Sequence, residues 1–116
     1  MHRHFKVPTE LEFIEWFGDI PEKFGELGYR YRITDELGVS LIFSFEIHTN
    51  SVQTILKFGD QTAITVVHEN ATEIGFQQLG NDKILYASFS GGNEETELTI
   101  ENTPRIKVQW NTLSRP

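Results

Sequence analysis

Cysteine is absent from this 116-residue chain. It therefore has no disulfide framework, no thiolate nucleophile and no cysteine-ligated zinc or iron–sulfur site. Long apolar runs are absent too. None approaches the roughly 18–20 residues that cross a bilayer, so no membrane contact is expected. The opening Met1-His2-Arg3-His4-Phe5-Lys6 carries charge with no apolar stretch behind it, unlike a secretion signal. A soluble, cytoplasmic protein is the expectation. Bases are scarce: 10 Lys and Arg stand against 17 Asp and Glu, for a net charge of −7. That sign opposes nonspecific binding to nucleic-acid phosphates. The length suits a single domain over 1–116, which buries roughly two-thirds of its unfolded surface in one core.

The familiar catalytic strings are also missing. Ser40, Ser44, Ser51, Ser88, Ser90 and Ser114 lack the Gly-x-Ser-x-Gly elbow that presents a hydroxyl over an oxyanion hole. Gly91-Gly92 is followed by Asn93-Glu94-Glu95, which repels a phosphate instead of cradling it. His2-x-His4 sits in a terminus expected to fray. His48 and His68 each end a predicted strand and read as solvated. Glu69 beside His68 points to the opposite face, so the two do not make a ligand pair. No catalytic residue, cofactor site or metal site is expected, and no enzyme activity.

What is present is a clear change of period. Thr9-Glu10-Leu11-Glu12 fits a capping box, and Leu11, Phe13, Ile14 and Phe17 recur at helical spacing. Gly18 suits a helix C-cap. Asp19 and Glu22, with Pro21 between, predict a second short helical turn, so the helical segment is placed at 9–24. From Tyr29 the alternation becomes twofold. It is clearest in Val39, Leu41, Phe43, Phe45 and Ile47, and turn signals interrupt it at Gly38, Gly59-Asp60, Gly80-Asn81, Gly91-Gly92 and Thr103-Pro104. Pairing across the last of these sets Glu101 opposite Arg105. The expected fold is α+β, with an N-terminal helix packed on a curved antiparallel sheet, a sandwich or half-barrel, of about eight strands over 29–111.

Charge placement is more telling than the total. Between Thr9 and Glu26 six acids face the single base Lys23, Asp35 and Glu36 follow at a hairpin tip, and four more acids lie between Asn93 and Glu101. Arg30, Arg32, Arg105 and Lys107 are the bases nearest to aromatic or apolar strand residues. Set against those glutamates, they read as parts of salt-bridged sheet faces, with no nucleic-acid partner. A concentrated negative patch speeds encounter with a basic protein. Trp16, beside those acids, suits either the core or an interface anchor.

The string Phe17-Gly18-Asp19-Ile20-Pro21-Glu22-Lys23-Phe24 resembles the opening of one immunity family from bacterial polymorphic-toxin and contact-dependent inhibition systems. In that family His-Asp follows, where this chain has Gly25-Glu26. The resemblance implies a stoichiometric inhibitor that covers the basic active site of a toxin domain, with a nuclease, in particular a ribonuclease, as the target. Glu10, Glu15, Trp16, Asp19, Glu22, Glu26, Asp35 and Glu36 are then the candidate partner-binding residues. Two rival readings remain at this level. One is a small-molecule binding module with Phe43, Phe45, Phe76 and Tyr86 lining an aromatic pocket. The other is an enzyme using His48 or His68 with Glu46.

Overall fold

The computed structural model describes residues 5–114, so His2-x-His4 lies outside the described residues. Thr9 opens helix α1 (Glu10–Phe17) with a reciprocal capping box. The Thr9 hydroxyl accepts from the Glu12 N–H at 3.3 Å, and the Glu12 carboxylate accepts the Thr9 N–H at 3.1 Å. The helix stops at Gly18, whose φ of 80° is the left-handed cap only glycine adopts freely. Phe13, Trp16 and Phe17 turn inward, while Leu11, expected in the apolar stripe, is 63% exposed.

The helical segment is shorter than the predicted 9–24. Pro21-Glu22-Lys23-Phe24 does not make a second turn: Glu22–Phe24 forms strand β1, paired antiparallel with β2 (Gly28–Thr34). Side-chain contacts across the pair settle this. Arg30 binds Glu22 at 2.6 Å and lies over the Phe24 ring at 4.8 Å, and Phe24 packs where Gly28 leaves room for it. The remaining strands fall where alternation places them: β3 (Val39–Glu46), β4 (Ser51–Phe58), β5 (Gln61–His68), β6 (Ala71–Leu79), β7 (Asp82–Gly91), β8 (Glu94–Glu101) and β9 (Lys107–Ser114). The described strands thus number nine, and β1 is the one beyond the expected eight.

They form two antiparallel meanders, β1-β2-β3-β4-β5 and β6-β7-β8-β9, which do not close into a barrel. Two-residue turns at Gly59-Asp60 and Gly80-Asn81 set Phe58 opposite Gln61 and Leu79 opposite Asp82. The last hairpin differs from expectation. Its connection runs from Asn102 to Ile106, so Glu101 faces Lys107, at 3.9 Å, and Arg105 stays in the loop.

The inner faces of both sheets share one core. Tyr31, Leu41, Phe43, Phe45 and Val52 come from the first sheet, and Ile74, Leu85, Ala87, Phe89, Leu98 and Ile100 from the second. The helix joins them. Phe13 stacks on Tyr31 (4.8 Å) and Phe45 (5.1 Å) and meets Phe76 of β6 edge-on at 5.5 Å. Ahead of the helix, Lys6 bridges to the edge of β6. Its N–H donates to the Thr72 carbonyl at 3.1 Å, and its carbonyl accepts from Ile74 at 2.8 Å.

Candidate functional site

The helix aims its acids outward because its aromatic residues face in. Glu10 and Glu15 are exposed on α1, Asp19 just after it, Glu22 on β1, and Glu26 and Glu36 in the turns on either side of β2. They make a strip, not a compact patch. The seven residues of β2 alone put about 20 Å of extended chain between the turn of Glu26 and that of Glu36. Part of the strip is neutralised from within. Lys23 pairs with Glu10 at 3.8 Å, Arg30 pairs with Glu22, and Arg30 and Arg32 line a shallow 230 Å³ hollow with Asp19, Ile20 and Glu22. Glu15, Glu26 and Glu36 have no ion-pair partner among the described residues.

Two of the candidate residues are structural ties. Trp16 is only 8% exposed. Its indole N–H donates to the Lys83 carbonyl at 2.7 Å, and its own carbonyl accepts from the Asn102 side chain at 3.0 Å. It anchors the helix to the second sheet and presents little surface. Asp35 folds its carboxylate back onto backbone: one oxygen accepts from Leu37 (2.9 Å) and Val39 (3.0 Å), the other from Ile106 (3.1 Å). Desolvation alone pushes its pKa up. The three N–H donors, with Arg105 nearby, outweigh that and hold it below the ordinary carboxylate value. Glu10 faces a buried phenol, Tyr31, whose pKa rises to about 12 through burial first and the negative charge of Glu10 second.

Sequence reasoning missed the apolar half of this surface. Leu11, Ile20, Leu27 and Leu37 are all exposed, Ile20 at 72%. Each stands next in sequence to one or more acids of the strip or its flanks. Apolar anchors rimmed by charge are the anatomy of a protein-binding surface. The signal was weak, because one exposed leucine per turn is ordinary in a soluble protein.

The outer face of the second sheet is acidic as well. Glu73, Ser88, Glu97 and Asn111 sit in register across all four of its strands. Tyr86 lies across Gly75, where an added Cβ would fall 2.5 Å from its hydroxyl, and donates to Glu73 at 2.9 Å. That hydrogen bond, then burial and the charges of Glu73 and Glu97, raises its pKa. No exposed large apolar side chain lies among these residues.

The sites of the rival readings come apart. Phe43 and Phe45 are core, and Tyr86 is on the outer face, so the four aromatic residues do not line one pocket. The cleft lined by Phe13, Tyr29, Tyr31 and Phe45 together with Glu10 and Lys23 holds about 160 Å³, below the size of ordinary ligand sites. A larger hollow of about 420 Å³ beside His68 and Phe89 is lined mostly by polar residues and by none of Phe43, Phe45, Phe76 and Tyr86. His48 is exposed in the β3–β4 turn. His68, expected to be solvated, is half-buried and stacks on Trp110 (4.6 Å) and Phe89 (4.8 Å), and that burial lowers its pKa. No cluster of three or more metal-ligating side chains occurs among the described residues, and none of their helices is long and apolar enough to cross a membrane.

No family model matches the chain, and neither does any curated protein. Among solved structures it is similar to one chain of a contact-dependent growth inhibition toxin–immunity protein complex from Klebsiella pneumoniae 342. The two superpose with a TM-score of 0.89 over 97% of this chain and 100% of that one, at 17% identity. The likeness is one of fold. The same fold thus occurs in a complex from a contact-dependent inhibition system, the kind of system that the Phe17–Phe24 string resembles.

Proposed function

We propose that this chain is the immunity protein of a contact-dependent growth inhibition system, binding a toxin domain in the cytoplasm and blocking it without catalysis. The observation that carries the reading is the near-complete fold likeness to a chain of a toxin–immunity complex. Such a complex holds two kinds of chain, and a net charge of −7 suits the inhibitor of a basic toxin better than a phosphate-handling toxin.

The contact surface is the strip along α1 and the two turns beside β2. Leu11, Ile20, Leu27 and Leu37 supply apolar contact, and Glu10, Glu15, Asp19, Glu22, Glu26 and Glu36 supply the charged rim. Trp16 and Asp35 contribute from beneath by fixing the helix and the β2–β3 turn. A nuclease, above all a ribonuclease, is the fitting target, because its substrate-binding site carries the opposite sign.

The test mixes the purified chain with the toxin domain of a contact-dependent inhibition effector from the same genome. A one-to-one complex that protects RNA from cleavage is expected, weakening as salt rises. Absence of any complex at low salt would overturn the reading.

A further inference from the structure

Strand β5 is unlike every other strand in the chain. Its sequence, Gln61-Thr62-Ala63-Ile64-Thr65-Val66-Val67-His68, contains no Asp, Glu, Lys or Arg, whereas each of the other eight described strands contains at least one. It is also an edge, pairing with β4 on one side only. Among the described residues no backbone group of β5 finds a backbone partner outside that pair. Ile64 is 48% and Val67 58% exposed, and Phe58 is exposed at the adjoining turn.

The other sheet edges are guarded. Strand β1 is three residues long and carries Glu22 and Lys23, Lys6 bridges to part of the β6 edge, and β9 carries Lys107. Short length, covering segments and charge are the means by which proteins blunt an edge, and β5 has none of them.

We infer that β5 pairs antiparallel with β5 of a second copy of this chain, joining two five-stranded sheets across a twofold axis. Charge selects this occupant. Two chains of −7 repel over most of their surfaces, and β5 is the strand along which they meet without formal charge. With the axis at Ile64 or at Thr65, no residue from Asp60 to Glu69 falls opposite a like charge. Such a dimer tightens as salt screens the remaining repulsion, whereas toxin binding through the acidic strip loosens.

Sedimentation equilibrium on the full chain, at low and high salt, tests this. The expected result is a mass of two chains, with dissociation weaker at high salt. Ile64→Lys and Thr65→Lys each set like charges at or beside the axis and raise the dissociation constant about tenfold or more. Leu79→Lys, an exposed site at the β6–β7 turn, leaves it unchanged. Circular dichroism checks that each variant folds. Should Ile64→Lys fail to fold, Thr65→Lys, an exposed site on the outer side of the sheet, still decides. A single-chain mass at every concentration overturns the inference, as does a dimer indifferent to both lysines. A monomer whose toxin binding Ile64→Lys abolishes also overturns it, and assigns the edge to a strand of the toxin.

Discussion

Apart from Leu79 at the β6–β7 turn, the exposed large apolar residues among those described fall into two groups that differ in their surroundings. Leu11, Ile20, Leu27 and Leu37 are set among carboxylates on the helix and the turns of β2, whereas Phe58, Ile64 and Val67 flank or lie on a strand without formal charge. Apolar area attracts any partner, and the charges around it decide which one. An acidic rim repels a second copy of an acidic chain and draws a basic protein. A charge-free edge does neither, and so leaves a second copy unopposed there. On the two proposals above, one small domain separates its contacts by electrostatics, on a common core.

The largest expected effect removes the distinction altogether. Phe13 is 1% exposed and ties the helix to both sheets, so Phe13→Ala should lower unfolding free energy by about 3–5 kcal/mol in urea titration. Both surfaces lose their footing with it. Ile20→Ala sharpens the contrast, weakening toxin binding by about 1–2 kcal/mol in calorimetry while leaving self-association untouched. Trp16→Phe keeps an aromatic side chain but loses the indole's second ring and the 2.7 Å hydrogen bond to Lys83, for a loss of about 1–3 kcal/mol of stability. Thr54 works in the opposite direction. Its buried hydroxyl has no partner among the described residues, so Thr54→Val should stabilise the first sheet by about 1 kcal/mol.

The smallest effect lies at the end of β5. Burial between Phe89 and Trp110 lowers the His68 pKa below 6.5, so the folded chain takes up its proton later than the unfolded one. Its contribution to stability is full above 6.5 and declines as pH falls through 6.5 and then through the folded-state value. His68→Phe should flatten that part of the stability–pH profile. An unchanged slope would place the titration elsewhere.

Local chemistry made much of this fold legible. The capping box, the Gly18 cap and the tight turns at Gly59 and Gly80 depend on residues within four positions of one another. Long-range partners hid the rest. Helical spacing leaves Trp16 between core and surface, and its acceptor at Lys83 is 67 residues away. Asp35 reads as a hairpin-tip acid until Ile106 reaches its second oxygen. Strand β1 resembles a capped helical turn, because the Arg30 that pairs with Glu22 lies on the next strand. The acidic strip was legible as acids, but not the bases folded against it.

Association kinetics with the toxin domain, measured across salt for the wild-type chain and two charge-reversal pairs, test the acidic strip most directly. Glu15→Lys with Asp19→Lys should slow association by about tenfold or more and flatten its salt dependence. Glu73→Lys with Glu97→Lys, on the outer face of the second sheet, should leave the rate close to wild type. The opposite pattern would move the toxin to the second sheet and contradict the strip as the contact surface.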